Sequence, residues 1–146
     1  MKLSIFEKNN IAETEVVINC KSKNKEIDKL VKHILQYDKS ISCRRDGRNY
    51  NIRINDIFYI ETVDNMCFAS TEKETYELRK SLLQIESELK NTAVTRISKS
   101  MLLNVNKLKS VAPFPNHRMD GELINGEHVI ISRSYITGLK EKIRRV

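Results

Sequence analysis

The spacing of apolar residues changes from strand-like to helical within the first forty residues of this chain. The runs SIFEK (4–8) and ETEVVINCK (13–21) place β-branched and aromatic residues among polar ones, which predicts two short strands that pair with each other. From Asn24 to Gln36 the apolar residues recur at helical spacing, which predicts one amphipathic helix. A unit of this size is too small to be stable alone, so we expect its apolar stripe to pack on a sheet.

After Ser40 the pattern is again that of strands. SISCRR and YNIRINDIFYIET flank Asp46-Gly47 and predict a hairpin followed by a strand, and MCFAST with ETYELR predicts a second hairpin. MLLNV and KLKSVAPF are strand-like, and their apolar residues Met101, Leu102, Leu103 and Val105 are expected in the core. The dipeptide Asn125-Gly126 between two alternating runs is the strongest hairpin signal in the chain.

Two short helices complete the predicted fold. Ser81 and Gln84 form a capping-box pattern, which predicts a helix over about residues 82–89. The end of the chain, YITGLKEKIRRV, fits a helix whose basic C-terminus suits the helix dipole. The pattern therefore predicts a mainly β fold with short helices (α+β), in which a domain over 40–146 follows a β-α extension over 1–39.

Length and composition agree with one compact domain and a small appendage. The chain has 146 residues, of which 40% are hydrophobic and 31% charged. No window approaches the ~18 apolar residues of a membrane span. Glu7 comes too early for a signal peptide, so we expect a cytoplasmic protein without a membrane partner.

The net charge of +7 is concentrated in the C-terminal part of the chain. Residues 89–146 hold 11 lysines and arginines against 4 aspartates and glutamates. No acid occurs between Glu88 and Asp120, whereas this stretch carries Lys90, Arg96, Lys99, Lys107, Lys109 and Arg118. A one-sided positive field suits a polyanionic partner, because each neutralised phosphate releases counterions. A solubilising surface explains the charge equally well.

Enzyme machinery is not evident in the sequence. The run Ser98-Lys99-Ser100 lacks the S-x-x-K spacing of a serine–lysine nucleophile pair, and no glycine-rich phosphate loop accompanies it. The three histidines and three widely spaced cysteines show no metal-ligand spacing and no disulfide framework. We therefore expect no catalytic residues, metal, cofactor or small-molecule substrate.

Three kinds of binding function remain open at this point: duplex DNA contacted through loops, a basic RNA-binding β module, and a protein-interaction adaptor. The one long helix lies far from the basic region, so a helix-turn-helix is not indicated. The aromatic residues form no stacking ladder, which weakens the case for single-stranded RNA.

Four segments in order resemble the LytTR family of bacterial DNA-binding domains. They are IFYIETVDNMCFAST, LLQIESEL, TRISKSMLLNVNKLKSV and LINGEHVIISRSYITGLKEKI, and the resemblance spans about residues 40–143. It implies an elongated β fold whose loops enter successive major grooves, and hence a sequence-specific transcription regulator. Relatives commonly carry a receiver domain ahead of this domain. Residues 1–39 are too few for one, so the resemblance implies a stand-alone regulator.

The resemblance also implies three DNA-binding loops. The first follows IFYIET and contains Asp64, Asn65, Met66 and Cys67, although Cys67 departs from the polar or imidazole side chain found in other members. The second runs from Arg96 to Ser100, with Lys99 reading bases and Ser98 and Ser100 binding phosphate. The third is SRSY, in which Arg133 contacts bases among Ser132, Ser134 and Tyr135.

Some of these residues have alternative roles. Lys107 is expected to contact the DNA backbone, which carries no base information. Asn65 suits either a DNA contact or a turn. Arg96 suits either a DNA contact or an ion pair with a carboxylate such as Glu61. Tyr135 is expected to be half-buried with its hydroxyl outward.

The expected partners are double-stranded promoter DNA with direct or inverted repeats, and a second copy of the chain in a homodimer. Residues 1–39 are the surface expected either to mediate dimerisation or to dock on the domain.

Overall fold

The computed structural model describes residues 1–145, which form ten strands in two antiparallel sheets, three α-helices and three short 3-10 helices. The α-helices are α1 (Lys25–Tyr37), α2 (Leu82–Glu88) and α3 (Ile136–Arg145). The strands are β1 (Ser40–Arg45), β2 (Arg48–Arg53), β3 (Ile57–Val63), β4 (Met66–Thr71), β5 (Thr75–Leu78), β6 (Val94–Ser98), β7 (Met101–Asn104), β8 (Leu108–Phe114), β9 (Arg118–Leu123) and β10 (His128–Ile131). The 3-10 helices span Ile54–Asp56, Val105–Lys107 and Arg133–Tyr135. The expected mainly β fold with short helices is confirmed.

Seven strands form the larger sheet in the order β2-β1-β5-β4-β3-β7-β6, and the remaining three form a sheet in the order β10-β9-β8. Within the larger sheet, the neighbouring strands β3 and β7 join segments that are distant in the chain, with Ile60 opposite Leu102. Within the described residues, no helix has both the length and the apolar character needed to cross a membrane.

The turn signals in the sequence are realised in the structure. Asp46 and Gly47 both have positive φ, 50° and 74°, as a two-residue turn of type I′ requires between β1 and β2. Gly126 also has positive φ, 89°, in the turn between β9 and β10. Helix α2 begins with the predicted capping box, in which the side chain and backbone of Ser81 exchange hydrogen bonds with Gln84.

The first of two differences from the predicted elements concerns residues 1–23, which the structure describes as extended chain and turns without a strand. The prediction that the runs 4–8 and 13–21 pair as strands is therefore wrong for a single copy of the chain. An isolated two-stranded hairpin is marginal in water, because it cannot bury enough apolar surface to offset its loss of conformational entropy. The helix that follows is present as predicted, and its N-cap residue Asn24 accepts a hydrogen bond of 2.9 Å from the backbone amide of Ile27.

The second difference is strand β6, which the polar pattern around Arg96 concealed. Val94 and Ile97 are buried while the residues between them are only half-buried, as in a strand at the edge of a sheet. This strand pairs with β7, placing Arg96 opposite Leu102.

The larger sheet separates two apolar clusters. The first, between the sheet and α2, includes Ile57, Ile60, Ile85, Leu89 and Leu102. The second, between the sheet, the smaller sheet and α3, includes Phe58, Leu103, Leu123, Ile131 and Leu139. The register of β3 shifts between Ile57 and Tyr59, and this bulge allows the consecutive residues Phe58 and Tyr59 both to pack on the second cluster.

Helix α1 rests on the domain without being enclosed by it. Its apolar stripe is half-buried, and no residue of α1 is fully buried. Lys39, just after the helix, donates from Nζ to the carbonyl of Glu88 over 2.9 Å. On the neighbouring helix α3, Lys142 donates to the carbonyls of Lys90 and Thr92, both over 2.9 Å. Burial lowers the pKa of the Lys142 amine, and the positive charges of Lys32 and Arg145 lower it further.

Asn104 is the buried polar residue that closes the end of β7. Its side-chain amide donates to the carbonyls of Ile54 and Ile57 over 3.3 and 2.9 Å, and its side-chain oxygen accepts from the amide of Asn106 over 3.1 Å. These bonds attach the end of β7 to the turn that precedes β3.

Removing this side chain should therefore be costly. We expect Asn104→Ala to lower the free energy of unfolding by about 2 to 4 kcal/mol, because buried backbone groups lose their partners. Chemical denaturation provides the measurement. Asn106→Ala is the matched control, since its exposed side chain is not part of these bonds, and it should change stability by less than about 0.5 kcal/mol. Equal losses in the two variants would contradict this role of Asn104.

Candidate nucleic-acid interface

Three surface segments lie side by side at one end of the larger sheet. β3 ends there at Val63, and β7 begins there because it runs antiparallel to β3. The backbone amide of Thr62 donates to the carbonyl of Ser100 over 2.8 Å, and the amide of Ser132 donates to the carbonyl of Ile97 over 2.8 Å. These two bonds connect the β3–β4 turn, the β6–β7 turn and the segment that follows β10. The structure thus brings together three segments that are 32 or more residues apart in the sequence.

The β3–β4 turn consists of Asp64 and Asn65, with Val63 and Met66 paired at its base. Both turn residues have positive φ, 50° and 62°, a conformation that aspartate and asparagine tolerate better than other side chains. Asn65 therefore does form a turn, and its side chain is also exposed. The tip of this turn is flanked by two exposed apolar residues, Val63 and Met66. Met66 lies in the loop that the resemblance indicated, whereas sequence reasoning missed Val63.

Cys67 does not lie on this surface, which corrects its placement among the DNA-facing side chains. It is 3% exposed, and its sulfur lies 3.5 Å from the hydroxyl oxygen of Thr62 on the opposite strand. The reason is the alternation of β4: Met66 points out at the turn, so the next residue points into the apolar cluster under α2.

The β6–β7 turn is organised from beneath by Arg96. The Arg96 Nε donates to the carbonyl of Ser98 over 2.9 Å, and its Nη2 donates to the carbonyl of Lys99. Its Nη1 lies 3.3 Å from a carboxylate oxygen of Glu86 on α2. The expected kind of ion pair is present, but the partner is Glu86 and not Glu61. With its guanidinium occupied in this way, Arg96 serves the structure of the turn.

The remaining residues of this turn face solvent. Ser98 accepts a hydrogen bond from the amide of Ser100 over 3.2 Å, and the two hydroxyl oxygens are 3.4 Å apart. Lys99 is exposed, and within the described residues its amine forms no ion pair. Because Arg96 holds two consecutive carbonyls of the turn, the lysine is presented on a fixed backbone.

The third segment, Ser132–Tyr135, leads from β10 into α3. Arg133 and Ser134 are exposed, and among the described residues Arg133 has no carboxylate partner. The amide of Tyr135 donates to the carbonyl of Ser132 over 2.9 Å, which closes the 3-10 turn. Tyr135 is half-buried as predicted and packs against the second apolar cluster.

Lys107 lies apart from the three segments. It lies in the 3-10 turn beyond the far end of β7, where its carbonyl accepts from the amide of Ile124 over 2.9 Å. The residue is half-buried, and its amine lies 5.1 Å from the centre of the Phe58 ring. A cation held over an aromatic face in this way contributes to packing.

Charges at the three segments are mostly positive but not uniformly so. Asp64 places one exposed carboxylate on the β3–β4 turn, while Lys99 and Arg133 supply two exposed cations. The Glu86 carboxylate is paired with Arg96. Within residues 1–145, no group of three metal-ligating side chains is present.

Comparison with known proteins places residues 47–144 within the model of the family described as LytTr DNA-binding domain. The sensory transduction protein LytT of Enterococcus faecalis is 27% identical over 104 residues, which are 71% of this chain and 43% of that protein. An uncharacterised HTH-type transcriptional regulator of Staphylococcus aureus is 23% identical over 145 residues, which are 98% of both chains. This chain therefore spans less than half the length of the LytT relative and nearly the full length of the staphylococcal one.

A solved structure shows the same fold. It is a LytTr DNA-binding domain from Bacillus cereus, with a TM-score of 0.67 and 22% sequence identity. The match covers 73% of this chain and 97% of that structure. The two antiparallel sheets with short helices described above are thus a known arrangement.

The role of Arg96 can be tested separately from any DNA contact. We expect Arg96→Ala to speed hydrogen exchange at the amides of residues 98–100 and to lower the free energy of unfolding by about 1 to 3 kcal/mol, because three acceptors lose their donor. Arg96→Lys should restore little of this, since an ammonium group does not have the planar fork of a guanidinium. Lys99→Ala, the control, should leave both measurements unchanged. Unaltered exchange in Arg96→Ala would show that the turn holds its shape without the guanidinium.

Proposed function

Since this chain belongs to the LytTr DNA-binding domain family, it is a DNA-binding regulatory protein, and we propose that it reads the major grooves of double-stranded promoter DNA through the three segments described above. Residues 40–146 act in this proposal as the DNA-binding domain. The observation that carries the proposal is the joining of three exposed segments by the Thr62–Ser100 and Ser132–Ile97 backbone bonds.

The dimensions of the surface support a groove contact. Neighbouring strands lie about 4.8 Å apart, so the tips of the β3–β4 and β6–β7 hairpins are separated by two strand spacings, about 10 Å. The major groove of B-DNA is about 12 Å wide. The two hairpin tips are therefore close enough together to face one groove.

Each side chain has a role within this proposal. Lys99 and Arg133 read base edges, because exposed cations of this kind pair with the acceptors of guanine. Asn65 contacts DNA from the hairpin tip, and Asp64 beside it repels phosphates and so restricts how the tip can lie. Phosphate contacts come from the hydroxyls of Ser98, Ser100, Ser132, Ser134 and Tyr135.

Three residues change role relative to the sequence-based expectation. Arg96 shapes the turn that carries Lys99. Cys67 and Lys107 are left out of the interface, because one is buried and the other lies beyond the far end of β7. Val63 is added beside Met66 of the expected loop, since exposed apolar side chains at the hairpin tip suit the methyl group of thymine.

The alternative classes have less support. Single-strand RNA recognition needs exposed aromatic rings for base stacking, and the only aromatic residue in the three described segments is the half-buried Tyr135. A protein adaptor would show no salt-sensitive binding to DNA or RNA. The LytTr family is one of DNA-binding regulatory domains and not of enzymes, and we extend this to propose that the chain has no catalytic activity and works in the cytoplasm.

The regulator is proposed to act as a homodimer on two half-sites, arranged as direct or inverted repeats in a promoter. Residues 1–39 are proposed to form a separate unit that mediates this self-association or docks on the domain.

The electrostatic part of the proposal predicts a steep dependence on salt. We expect the logarithm of the association constant for duplex DNA to fall linearly with the logarithm of salt concentration, with a slope of about −0.9 per neutralised phosphate. Fluorescence anisotropy at several salt concentrations measures this slope for duplex and single-stranded probes. Binding that is insensitive to salt would favour the adaptor, and tighter binding to single strands would favour the RNA module.

Specificity should depend on Arg133. A duplex selected from random sequence serves as the cognate site, and its scrambled version as the competitor. We expect Arg133→Ala to reduce the difference in binding free energy between the two duplexes by about 1 to 3 kcal/mol while keeping some general DNA binding, because a bidentate contact to guanine is lost.

The matched control is Lys107→Ala, which removes the same charge from a position outside the proposed surface. It should leave both the affinity and the specificity ratio unchanged. If Arg133→Ala keeps the full ratio, the base-reading role is wrong. If Lys107→Ala instead weakens all duplexes alike, the interface extends past the far end of β7.

A further inference from the structure

The N-terminal segment 13–23 has apolar side chains that no described part of the chain covers fully. Val16 and Val17 are 59% and 66% exposed, and Ile18 is only half-buried. The backbone groups of residues 13–23 form no hydrogen bonds within the described chain. The backbone bond nearest the N-terminus is the one from the amide of Asp28 to the carbonyl of Asn24. β-Branched residues are uncommon in solvated extended chain and are typical of sheets.

Charges are distributed in opposite halves of this segment. Glu13 and Glu15 lie before the apolar centre, and Lys21 and Lys23 lie after it. If the segment is a strand, all four alternate onto one face, while Val16, Ile18 and Cys20 share the other. The segment thus has the pattern of an amphipathic strand whose charge reverses from one end to the other.

This reversal makes the segment complementary to itself when two copies run antiparallel. A two-fold axis at Ile18 places Glu13 opposite Lys23 and Glu15 opposite Lys21, so that four pairs of opposite charges form. In an antiparallel pair of strands, the side chains of directly opposed residues lie on the same face of the sheet. The two-fold axis must therefore lie between the two copies of one residue, and not midway between two successive residues of the sequence. Moving the axis to Val17 would retain only the pair of Glu13 with Lys21.

We propose that residues 13–23 of two copies of this chain pair as antiparallel strands about Ile18 and form the dimer interface. The backbone groups left without partners in one copy then bond across the axis, and Val16 stands opposite Cys20 of the second copy. The outer edge of each strand in the pair remains free. The apolar run at 4–8, in which Ile5 and Phe6 are exposed, adds there as one further strand from each copy. A sheet of four strands gains the stability that a lone hairpin lacks.

One competing contact exists within a single copy. The Lys23 amine lies 3.2 Å from a carboxylate oxygen of Asp28 in α1, but both side chains are more than half exposed. Exposed ion pairs of this kind contribute little to stability, so the pair does not hold the segment in its unpaired state. This inference rests on the proposed homodimer and not on any of the proposed DNA contacts.

Charge reversal tests the pairing. We expect Glu13→Lys/Glu15→Lys and Lys21→Glu/Lys23→Glu each to raise the dimer dissociation constant at least about tenfold in sedimentation equilibrium, because every opposed pair then repels. An equimolar mixture of the two variants should dimerise about as well as the unchanged protein, because opposite charges again face each other. A wild-type protein that is monomeric at all concentrations, or a mixture that stays monomeric, would overturn the proposal.

The same experiment separates other arrangements. If the segment instead adds to the edge strand β2, whose Arg48 and Arg53 are exposed, reversing the two glutamates would weaken association and reversing the two lysines would not. If dimers form elsewhere, both variants stay dimeric. Either result would overturn the proposed interface.

Cysteine cross-linking tests the register. Cys20 is the exposed cysteine, whereas Cys43 and Cys67 are buried. Under mild oxidation we expect Val16→Cys to form a covalent dimer through Cys20 of the second copy, since directly opposed Cβ atoms lie about 4.5 to 5.5 Å apart. Val17→Cys, whose side chain faces the other side of the ribbon, should not cross-link, and nor should the unchanged protein. Equal cross-linking of the two variants would rule out the register about Ile18.

Binding to a duplex with a single half-site distinguishes this inference from the proposed function. The charge-reversed proteins should bind it as well as the unchanged protein does, since the three DNA-facing segments are intact. Loss of dimerisation with retained half-site binding supports both proposals. Dimerisation that follows the charge pattern in a protein that binds no duplex would support the interface alone.

Discussion

The position of β7 is the constraint on which the rest of this structure depends. Leu102 and Leu103 are consecutive and fully buried, one in the cluster under α2 and the other in the cluster under α3. The strand therefore joins both apolar clusters, and a shift of one residue would exchange the two environments. Ser100, just before β7, accepts from the amide of Thr62, so the same register sets where the turn carrying Lys99 meets the end of β3. Packing and site geometry are consequently determined together.

Much of the fold could be predicted from local sequence, since hairpins and caps are specified by a few neighbouring residues. Asp46-Gly47 and the Ser81–Gln84 capping box depend only on backbone geometry that these side chains favour, and both were predicted. Strand β6 and the N-terminal segment required more than local information. Residues 94–98 become a strand because β7 supplies backbone partners, and residues 13–21 remain unpaired because nothing in one copy does so. Propensity alone does not distinguish these two cases.

The candidate site was less predictable than the fold, because side-chain direction and distant partners decide it. The resemblance indicated the segments but not which side chains in them face solvent. Cys67 could have been assigned to the core by counting alternate residues from the two-residue turn. The pairing of Arg96 with Glu86 depends on how α2 lies against the sheet, and no local pattern reports this. Arg96 also donates to the carbonyls of Ser98 and Lys99, so one cation bonds the backbone of the turn while the Lys99 amine is left free.

The proposed dimer interface and an inverted-repeat DNA site have the same two-fold symmetry. The strand pair that we propose relates two copies by a two-fold axis, and half-sites in inverted repeat are related in the same way. Whether that symmetry reaches the DNA depends on the residues between the strand and the domain. Helix α1 lies against the domain with its apolar stripe half-buried, and the exposed Lys39–Glu88 bond follows directly after it, so the linking residues contact the domain. A linker that keeps its contacts with the domain fixes the two DNA-binding domains in the two-fold arrangement of the strand pair. A flexible linker would instead let the two domains bind direct and inverted repeats alike. For the proposed dimer through residues 13–23, we therefore expect inverted half-sites if α1 keeps these contacts on DNA.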